Sequence, residues 1–122
     1  QLVTAGTLAD TDVVGFYQTD ERACFTVLHF SSGNLLDKDY EILPSVEDPQ
    51  SAVSSLIKQY YLAKGYAPRF VLLPFEIEDA AYFEQLLERE YGRKPHLKVS
   101  ILVKLGRRSL LVSSEIIRRL CK

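Results

Sequence analysis

One stretch of the chain, residues 48–75, combines a helix pattern with a buried-strand pattern. Asp48 suits the N-cap, Pro49 the first helical position and Gly65 the end of the helix. Between them, apolar residues recur at helical spacing: Val53, Leu56, Ile57 and Tyr60. The apolar run 70–73 then lacks polar alternation, as in a strand covered on both faces of its sheet. The pattern therefore predicts a helix followed by a central strand, with helices packed on both sides of the sheet.

Upstream of this stretch, the pattern predicts three strands. Asp12–Gln18 and Ala23–Phe30 are rich in β-branched and aromatic residues and are separated by a four-residue loop. Leu35–Leu43 follows after a second turn. These segments predict an antiparallel meander. Residues 1–11 are small and polar without periodicity, and we expect them to be a mobile lead-in.

Downstream, two further helices and one strand are predicted. Glu76–Tyr91 has an apolar helical face and is followed by Gly92 as a stop. His96–Val103 alternates apolar and polar residues, as a half-exposed strand does. Ser109–Cys121 has apolar residues at helical spacing and predicts a third helix, although a shorter helix starting at Ser113 also fits.

The predicted order of elements is β-β-β-α-β-α-β-α. Hairpin-linked strands followed by two right-handed crossovers give a mixed five-stranded sheet with helices on both faces. This arrangement is similar to the ribonuclease H-like fold. We therefore predict an α/β fold of this kind, with a lead-in over residues 1–11 and a single domain over residues 12–122.

The composition is that of one globular domain with a hydrophobic core large enough to fold without disulfides or structural metal ions. The chain has 122 residues, of which 47% are hydrophobic and 25% charged. Its two cysteines, Cys24 and Cys121, are too few for a disulfide framework, and no segment has the pattern of a secretory leader or membrane span. We expect a cytoplasmic location. The chain begins at Gln1 and contains no methionine, which indicates a piece of something longer.

Charge is distributed unevenly along the chain. Residues 1–92 carry fifteen acids against six bases, whereas residues 93–122 carry nine bases against one acid. A basic face of this kind indicates either contact with a polyanion or an ordinary solvated surface. Within it, three residues surround Gly106 in the predicted loop before the last helix: Lys104, Arg107 and Arg108. Backbone amides at a helix start help to bind phosphate, so we predict these three as nucleic-acid contacts, with a solvated loop as the alternative.

Nuclease activity in such a fold requires carboxylates that converge at the carboxyl ends of the central strands and hold two divalent metals. The predicted central strands contain no internal acid. Asp12 precedes the run Val13–Gln18 of the first strand, Asp20 lies in the turn after it, and Glu76 follows the fourth strand. We therefore expect no catalytic residue, metal site or cofactor. The alternative is an active metal-dependent nuclease centred on these three acids.

Five short strings occur along the chain in a fixed order and spacing: Asp12-Val13-Val14, Ser32-Gly33-Asn34-Leu35, Gln59-Tyr60-Tyr61, Pro68-Arg69-Phe70-Val71-Leu72-Leu73-Pro74 and Gly92-Arg93-Lys94. In this order and spacing they resemble the middle region of the bacterial excinuclease family UvrC. The similarity covers residues 1–111. The end of the chain departs from the family, which has a proline and an arginine before the glycine of the last loop.

The resemblance implies a role in nucleotide excision repair. Family members carry a GIY-YIG nuclease, a UvrB-binding motif, this middle region, a ribonuclease H-like nuclease and helix-hairpin-helix motifs. The chain contains neither the GIY-YIG signature nor the Asp-Ile-Ser-His stretch that opens the second nuclease. The resemblance thus implies a catalytically silent module whose partners, through the parent protein, are UvrB and damaged DNA. It implies no membrane and no small-molecule substrate. A module that only binds other proteins is the remaining alternative.

Overall fold

The computed structural model describes residues 2–4, 10–32, 34–99, 102–105 and 108–111. Eight strands and two helices lie in this part of the chain. In chain order they are β1 (Leu2–Thr4), β2 (Thr11–Gln18), β3 (Arg22–Ser31), β4 (Asn34–Pro44), α1 (Pro49–Lys64), β5 (Phe70–Leu73), α2 (Ala80–Tyr91), β6 (His96–Val99), β7 (Leu102–Leu105) and β8 (Arg108–Leu111).

The central feature is a mixed five-stranded sheet in the order β4-β3-β2-β5-β6. β2, β3 and β4 form the predicted antiparallel meander. β5 lies parallel to β2, and β6 lies parallel to β5. The predicted ribonuclease H-like α/β arrangement is therefore confirmed.

Both described helices pack on one face of this sheet, so within the described residues the prediction of helices on both faces is wrong. Val53 and Ile57 of α1 and Phe83 and Leu87 of α2 are almost fully buried in the same cluster. The cluster's members from the sheet are Val14, Phe25, Val27, Val71 and Leu73. The opposite face is buried too, at Val13, Leu28 and Leu72. Burial on both faces explains why the β5 run has no polar alternation.

The ends of α1 are as predicted. The Asp48 carboxylate accepts a hydrogen bond from the Ser51 backbone N–H at 3.3 Å, and Pro49 occupies the first turn. Gly65 follows the helix with φ of 73°, a left-handed conformation that glycine adopts at little cost. α2 begins at Ala80 rather than at Glu76, because Asp79 has φ of 62° and interrupts the helical backbone there.

The two ends of the chain differ most from the predictions. β1 pairs parallel with β7, so the expectation of a lead-in without regular structure is wrong at Leu2–Thr4. The strand predicted over His96–Val103 is divided between β6, in the five-stranded sheet, and β7, in a second sheet of order β1-β7-β8. The helix predicted from Ser109 is wrong at residues 109–111, where β8 pairs antiparallel with β7. The rest of that predicted helix, residues 112–121, lies outside the described residues. The division into a lead-in and a domain at residue 12 stays a prediction.

Candidate functional site

The acid expected before the first strand lies inside it. β2 begins at Thr11, which pairs with Phe70, and the Phe70 backbone N–H donates to the carbonyl of Asp10. This pairing with β5 extends β2 by two residues ahead of its apolar run, so Asp12 becomes its second residue. Asp12 is 1% exposed. The prediction that this strand contains no acid is therefore wrong, and the site is built from this carboxylate.

Both carboxylate oxygens of Asp12 are engaged by neighbouring side chains. His29 stands directly opposite Asp12 in the β2–β3 register, and its Nδ1 lies 2.5 Å from Oδ1. Tyr61, on the buried face of α1, donates its hydroxyl to Oδ2 at 2.5 Å. The strand pairing and the packing of α1 thus each supply one polar partner to this carboxylate.

A second acid extends the network towards solvent. The Nε2 atom of His29 lies 3.4 Å from Oδ1 of Asp10, so the imidazole bridges two carboxylates. Arg93 donates to Oδ2 of Asp10 at 3.0 Å, and the Tyr66 hydroxyl donates to the same oxygen. We call these residues the Asp12 cluster: Asp10, Asp12, His29, Tyr61, Tyr66 and Arg93.

Burial dominates the electrostatics of this cluster. It raises the pKa of Asp12 above its ordinary value, although the hydrogen bonds from Tyr61 and His29 act in the opposite direction. Burial, together with the Asp12 charge, raises the pKa of Tyr61 well above its ordinary value. Burial and the Asp10 carboxylate raise the pKa of Tyr66 to about 12. The tyrosine hydroxyls therefore stay protonated and act as donors to the two carboxylates.

The three acids of the alternative nuclease hypothesis do not converge. Asp12 lies near the amino end of β2, and Asp20 lies in the exposed turn beyond its other end. At about 3.3 Å per residue, the strand between them spans roughly 20 Å. Glu76 is exposed and follows the carboxyl end of β5, whereas Asp12 pairs with Val71 near the start of β5.

A two-metal centre therefore does not fit the residues present. It needs several carboxylates within reach of one pair of ions, at oxygen-to-metal distances of about 2.0–2.6 Å. Across the part of the chain whose side chains are described, no group of three or more His, Cys, Asp or Glu residues is arranged to hold a metal ion. The oxygens of Asp12 are instead occupied by protein donors.

The cluster could be found from sequence only in part. His29 resembles an isolated strand histidine, and Tyr61 lies beside the apolar face of a predicted helix. The feature that connects His29 with Asp12 is the register of the β2–β3 strand pair. Once β2 and β3 are aligned, Asp12 falls opposite His29. No sequence pattern fixes where α1 places the Tyr61 hydroxyl above that pair.

The structure places two of the three predicted nucleic-acid residues, Lys104 and Arg108, in paired strands. Lys104 pairs with Ser109, and Arg108 pairs with Leu105, in the β7–β8 ladder. Arg107 lies outside the described residues. Because residues 108–111 form a strand, the predicted helix start, whose amides would help to bind phosphate, is wrong at this position. The nucleic-acid role of the three basic residues stays a prediction.

These observations define a class: a domain with the ribonuclease H-like sheet, in which the acid of the central strand is buried and hydrogen-bonded by protein groups. Comparison with known families identifies it further. The model of the UvrC ribonuclease H-like domain matches residues 10–112, and the chain belongs to this family. The predicted resemblance to UvrC is confirmed.

Two proteins similar to this chain are much longer than it is. The UvrABC system protein C of Clostridioides difficile is 31% identical over 90 residues, which are 72% of this chain and 15% of that protein. The protein of the same name from Streptococcus pneumoniae is 30% identical over 115 residues, which are 90% of this chain and 19% of that protein. The chain thus spans less than a fifth of these two relatives.

Among solved structures, the catalytic domain of human endonuclease V is similar at 16% identity with a TM-score of 0.38. The match covers 55% of this chain and 33% of that one.

Neither of the described helices is long and apolar enough to cross a membrane.

Proposed function

We propose that this chain is a non-catalytic domain of a UvrC protein that works in nucleotide excision repair of damaged DNA. It spaces and orients nuclease domains carried elsewhere in that protein and contacts DNA or the partner protein UvrB. Family membership supports the pathway. The structure of the Asp12 cluster supports the absence of catalysis.

The observation that carries the proposal is the engagement of Asp12. A catalytic carboxylate must offer its oxygens to a metal ion that also binds the substrate. In Asp12, one oxygen lies 2.5 Å from His29 Nδ1 and the other accepts the Tyr61 hydroxyl at 2.5 Å. A metal ion would have to displace both partners from Asp12, which is 1% exposed. Asp20 and Glu76, the two other acids of the nuclease hypothesis, are too far along the sheet to join it.

A cleavage assay tests the proposal directly. The chain is incubated with nicked and branched DNA in magnesium or manganese, beside an Asp12→Asn variant that keeps the size of the side chain. We expect no cleavage above the buffer control from either protein. Metal-dependent cleavage by the unmodified chain that the variant loses would refute catalytic silence and establish the nuclease alternative.

Contact with DNA through the basic residues needs a separate test. Binding of a DNA duplex is measured across a salt series for the chain and for a variant with Lys104, Arg107 and Arg108 changed to glutamate. We expect the affinity to fall with salt, and the salt slope to decrease by about one for each phosphate contact removed. A matched control reverses three exposed basic residues elsewhere: Lys38, Arg22 and Arg89.

Two results would count against the DNA contact. One is an affinity that does not depend on salt, and the other is an equal loss of binding in the control variant. Capture of UvrB without any binding to DNA would instead support the module that binds only other proteins.

A further inference from the structure

The outer edge of the five-stranded sheet is long and open. β4 runs over eleven residues and is hydrogen-bonded to β3 on one side, and it is the last strand of the sheet order on the other. Every residue of β4 is exposed or only partly buried. Within the described residues, no strand covers its outer side. Such an edge presents unpaired backbone N–H and C=O groups, which another extended chain can bind.

The regular part of this edge is Asp37–Leu43. The β3–β4 register shifts between His29 and Phe30, which leaves Leu36 as an extra residue opposite the shift. From Asp37 to Leu43 the pairing with β3 is continuous. Seven residues in register are enough to align an added strand of similar length.

The two faces of this segment differ in chemistry. Tyr40 and Ile42 lie on the face away from α1 and are 52% and 44% exposed, and the exposed Lys38 shares this face. The alternate positions, on the α1 side, are acidic: Asp37, Asp39 and Glu41. Asp39 accepts from the Tyr60 hydroxyl at 2.5 Å and lies 3.5 Å from the Lys64 Nζ. Among the residues whose side chains are described, the carboxylates of Asp37 and Glu41 have no ion-pair partner.

A groove lies beside these acids, between β4 and α1. It has a volume of about 540 Å³, and its floor is largely apolar, with Phe25, Leu56, Tyr60 and Ala63. Lys64 also lines it, beside Asp39, so the acid of the groove without an ion-pair partner among the described residues is Glu41. The Glu41 side chain also lines the groove. A side chain with a long aliphatic stem and a positive end matches this surface, because the stem covers the apolar floor while the charge meets a carboxylate.

We infer that Asp37–Leu43 is a docking edge for an extended segment of a partner protein in which basic and apolar side chains alternate. The segment adds to the sheet as a sixth strand beside β4. Its basic side chains lie on the α1 side, with the three acids and the groove. Its apolar side chains lie on the other face, against Tyr40 and Ile42. This inference goes beyond the proposed function and does not depend on catalytic silence or on DNA contact.

A second copy of this chain is a poorer occupant of the same edge. In a symmetric antiparallel pair of β4 strands, residues that share a face must oppose each other. For a pair centred on Asp39, Asp37 of one copy opposes Glu41 of the other, and Asp39 opposes itself. Shifting the centre to Lys38 or Tyr40 again opposes acids with acids. Like charges directly opposite each other destabilise a strand pair, so charge favours a basic partner over self-association.

Binding of designed peptides tests the inference. The probe is a fluorescein-labelled nonapeptide, TKVKVKVKT, titrated with the chain at low salt and followed by fluorescence anisotropy. An acidic peptide, TEVEVEVET, has the same pattern with the opposite charge. We expect the basic peptide to bind, the acidic peptide not to bind, and the affinity to fall as salt is added. Hydrogen exchange of backbone amides within Asp37–Leu43 should slow in the complex, because strand addition occupies the open edge.

A pair of charge reversals separates docking at this edge from general attraction to an acidic chain. Glu41→Lys should weaken binding about fivefold, since it removes one exposed ion pair and adds a repulsion of similar size. Glu90→Lys, at an exposed position on α2, changes the net charge equally and should leave binding unchanged. Equal effects of the two variants, unchanged hydrogen exchange in β4, or a self-associated dimer that Glu41→Lys stabilises would overturn the inference.

Discussion

Removing the Tyr61 hydroxyl tests the structure of the Asp12 cluster most directly. Tyr61→Phe keeps the aromatic ring, which is 1% exposed, and deletes only the donor to Asp12 Oδ2. Tyr60 provides a matched control on the same helix. Its hydroxyl donates to Asp39 at the same distance, 2.5 Å, but the Asp39 side chain is 46% exposed. Tyr61→Phe therefore deletes one hydrogen bond in a buried setting. Tyr60→Phe deletes the bond to Asp39 and a second one, from Lys64 Nζ at 3.1 Å, in a solvated setting.

The expected cost differs because water can replace only one of the two donors. A hydrogen bond to a charged group contributes about 1.5–3 kcal/mol when its loss leaves a buried partner unsatisfied. Tyr61→Phe should therefore lower the free energy of unfolding by about 2 kcal/mol near neutral pH. Tyr60→Phe should cost about 0.5 kcal/mol, as expected for an exposed interaction. Neither variant opens a cavity, since the rings remain.

The cost of Tyr61→Phe should also depend on pH. Burial raises the folded pKa of Asp12, so its contribution to stability is greatest below the unfolded pKa of about 3.9 and is lost as the pH rises through the folded pKa. The Tyr61 hydroxyl lowers this folded pKa by donating to the carboxylate. Its removal raises the pKa further. The deficit of the variant should therefore be smaller near pH 4, about 1 kcal/mol, and larger above the folded pKa.

Urea unfolding of the three proteins, followed by far-ultraviolet circular dichroism near pH 4 and near pH 8, measures these differences. With a slope of about 1–2 kcal/mol per molar urea, Tyr61→Phe should lower the midpoint at pH 8 by roughly 1–2 M. Two results would refute the reasoning. One is a cost for Tyr61→Phe no greater than that for Tyr60→Phe, and the other is a cost that does not change between the two pH values.

Three further predictions, tested with four variants by urea unfolding, concern other parts of the structure. His29→Ala removes the other partner of Asp12 and leaves a buried carboxylate half satisfied, so it should cost about 3 kcal/mol; a cost below 1 kcal/mol would contradict the cluster. Leu87→Ala, at a fully buried position of α2, should lower the free energy of unfolding by about 3 kcal/mol. Its control, Leu62→Ala at a half-exposed position of α1, should lower it by less than about 0.5 kcal/mol. Gly65→Ala should cost about 1 kcal/mol, because an added Cβ contacts nothing and only the left-handed backbone is penalised; no change would show that the helix ends elsewhere.

The middle of the fold could be predicted because local signals there agree with one another. Helix α1 has an N-cap, a proline in its first turn, a helical apolar stripe and a glycine at its end. β5 has an apolar run too short for a helix and is followed by a proline. Each signal depends on residues close in sequence, so no knowledge of the rest of the chain is needed.

The two ends of the chain could not be predicted for the opposite reason. Leu2–Thr4 becomes a strand only through its pairing with residues 102–104, about a hundred residues away. Arg108–Leu111 has apolar residues that fit either a helix or a strand, and pairing with β7 decides between them. The extent of β2 was missed in the same way, because its first residue is defined by pairing with β5 rather than by its own sequence.

Acidic residues have opposite roles at two places on the same sheet, and the difference follows from their partners. Asp12, in the middle of the sheet, is buried, and its two carboxylate oxygens are engaged by one side chain from β3 and one from α1. Its hydrogen-bonding capacity is therefore satisfied within the fold. Glu41, at the outer edge, lies in solvent beside an apolar groove and has no ion-pair partner in the described residues. A carboxylate whose hydrogen-bond donors are already in place gains little binding free energy from a new cation. An exposed carboxylate beside an apolar groove gains more, because the apolar stem of a basic side chain can fill the groove while its charge meets the carboxylate. Asp12 is therefore expected to affect stability, and Glu41 to affect binding.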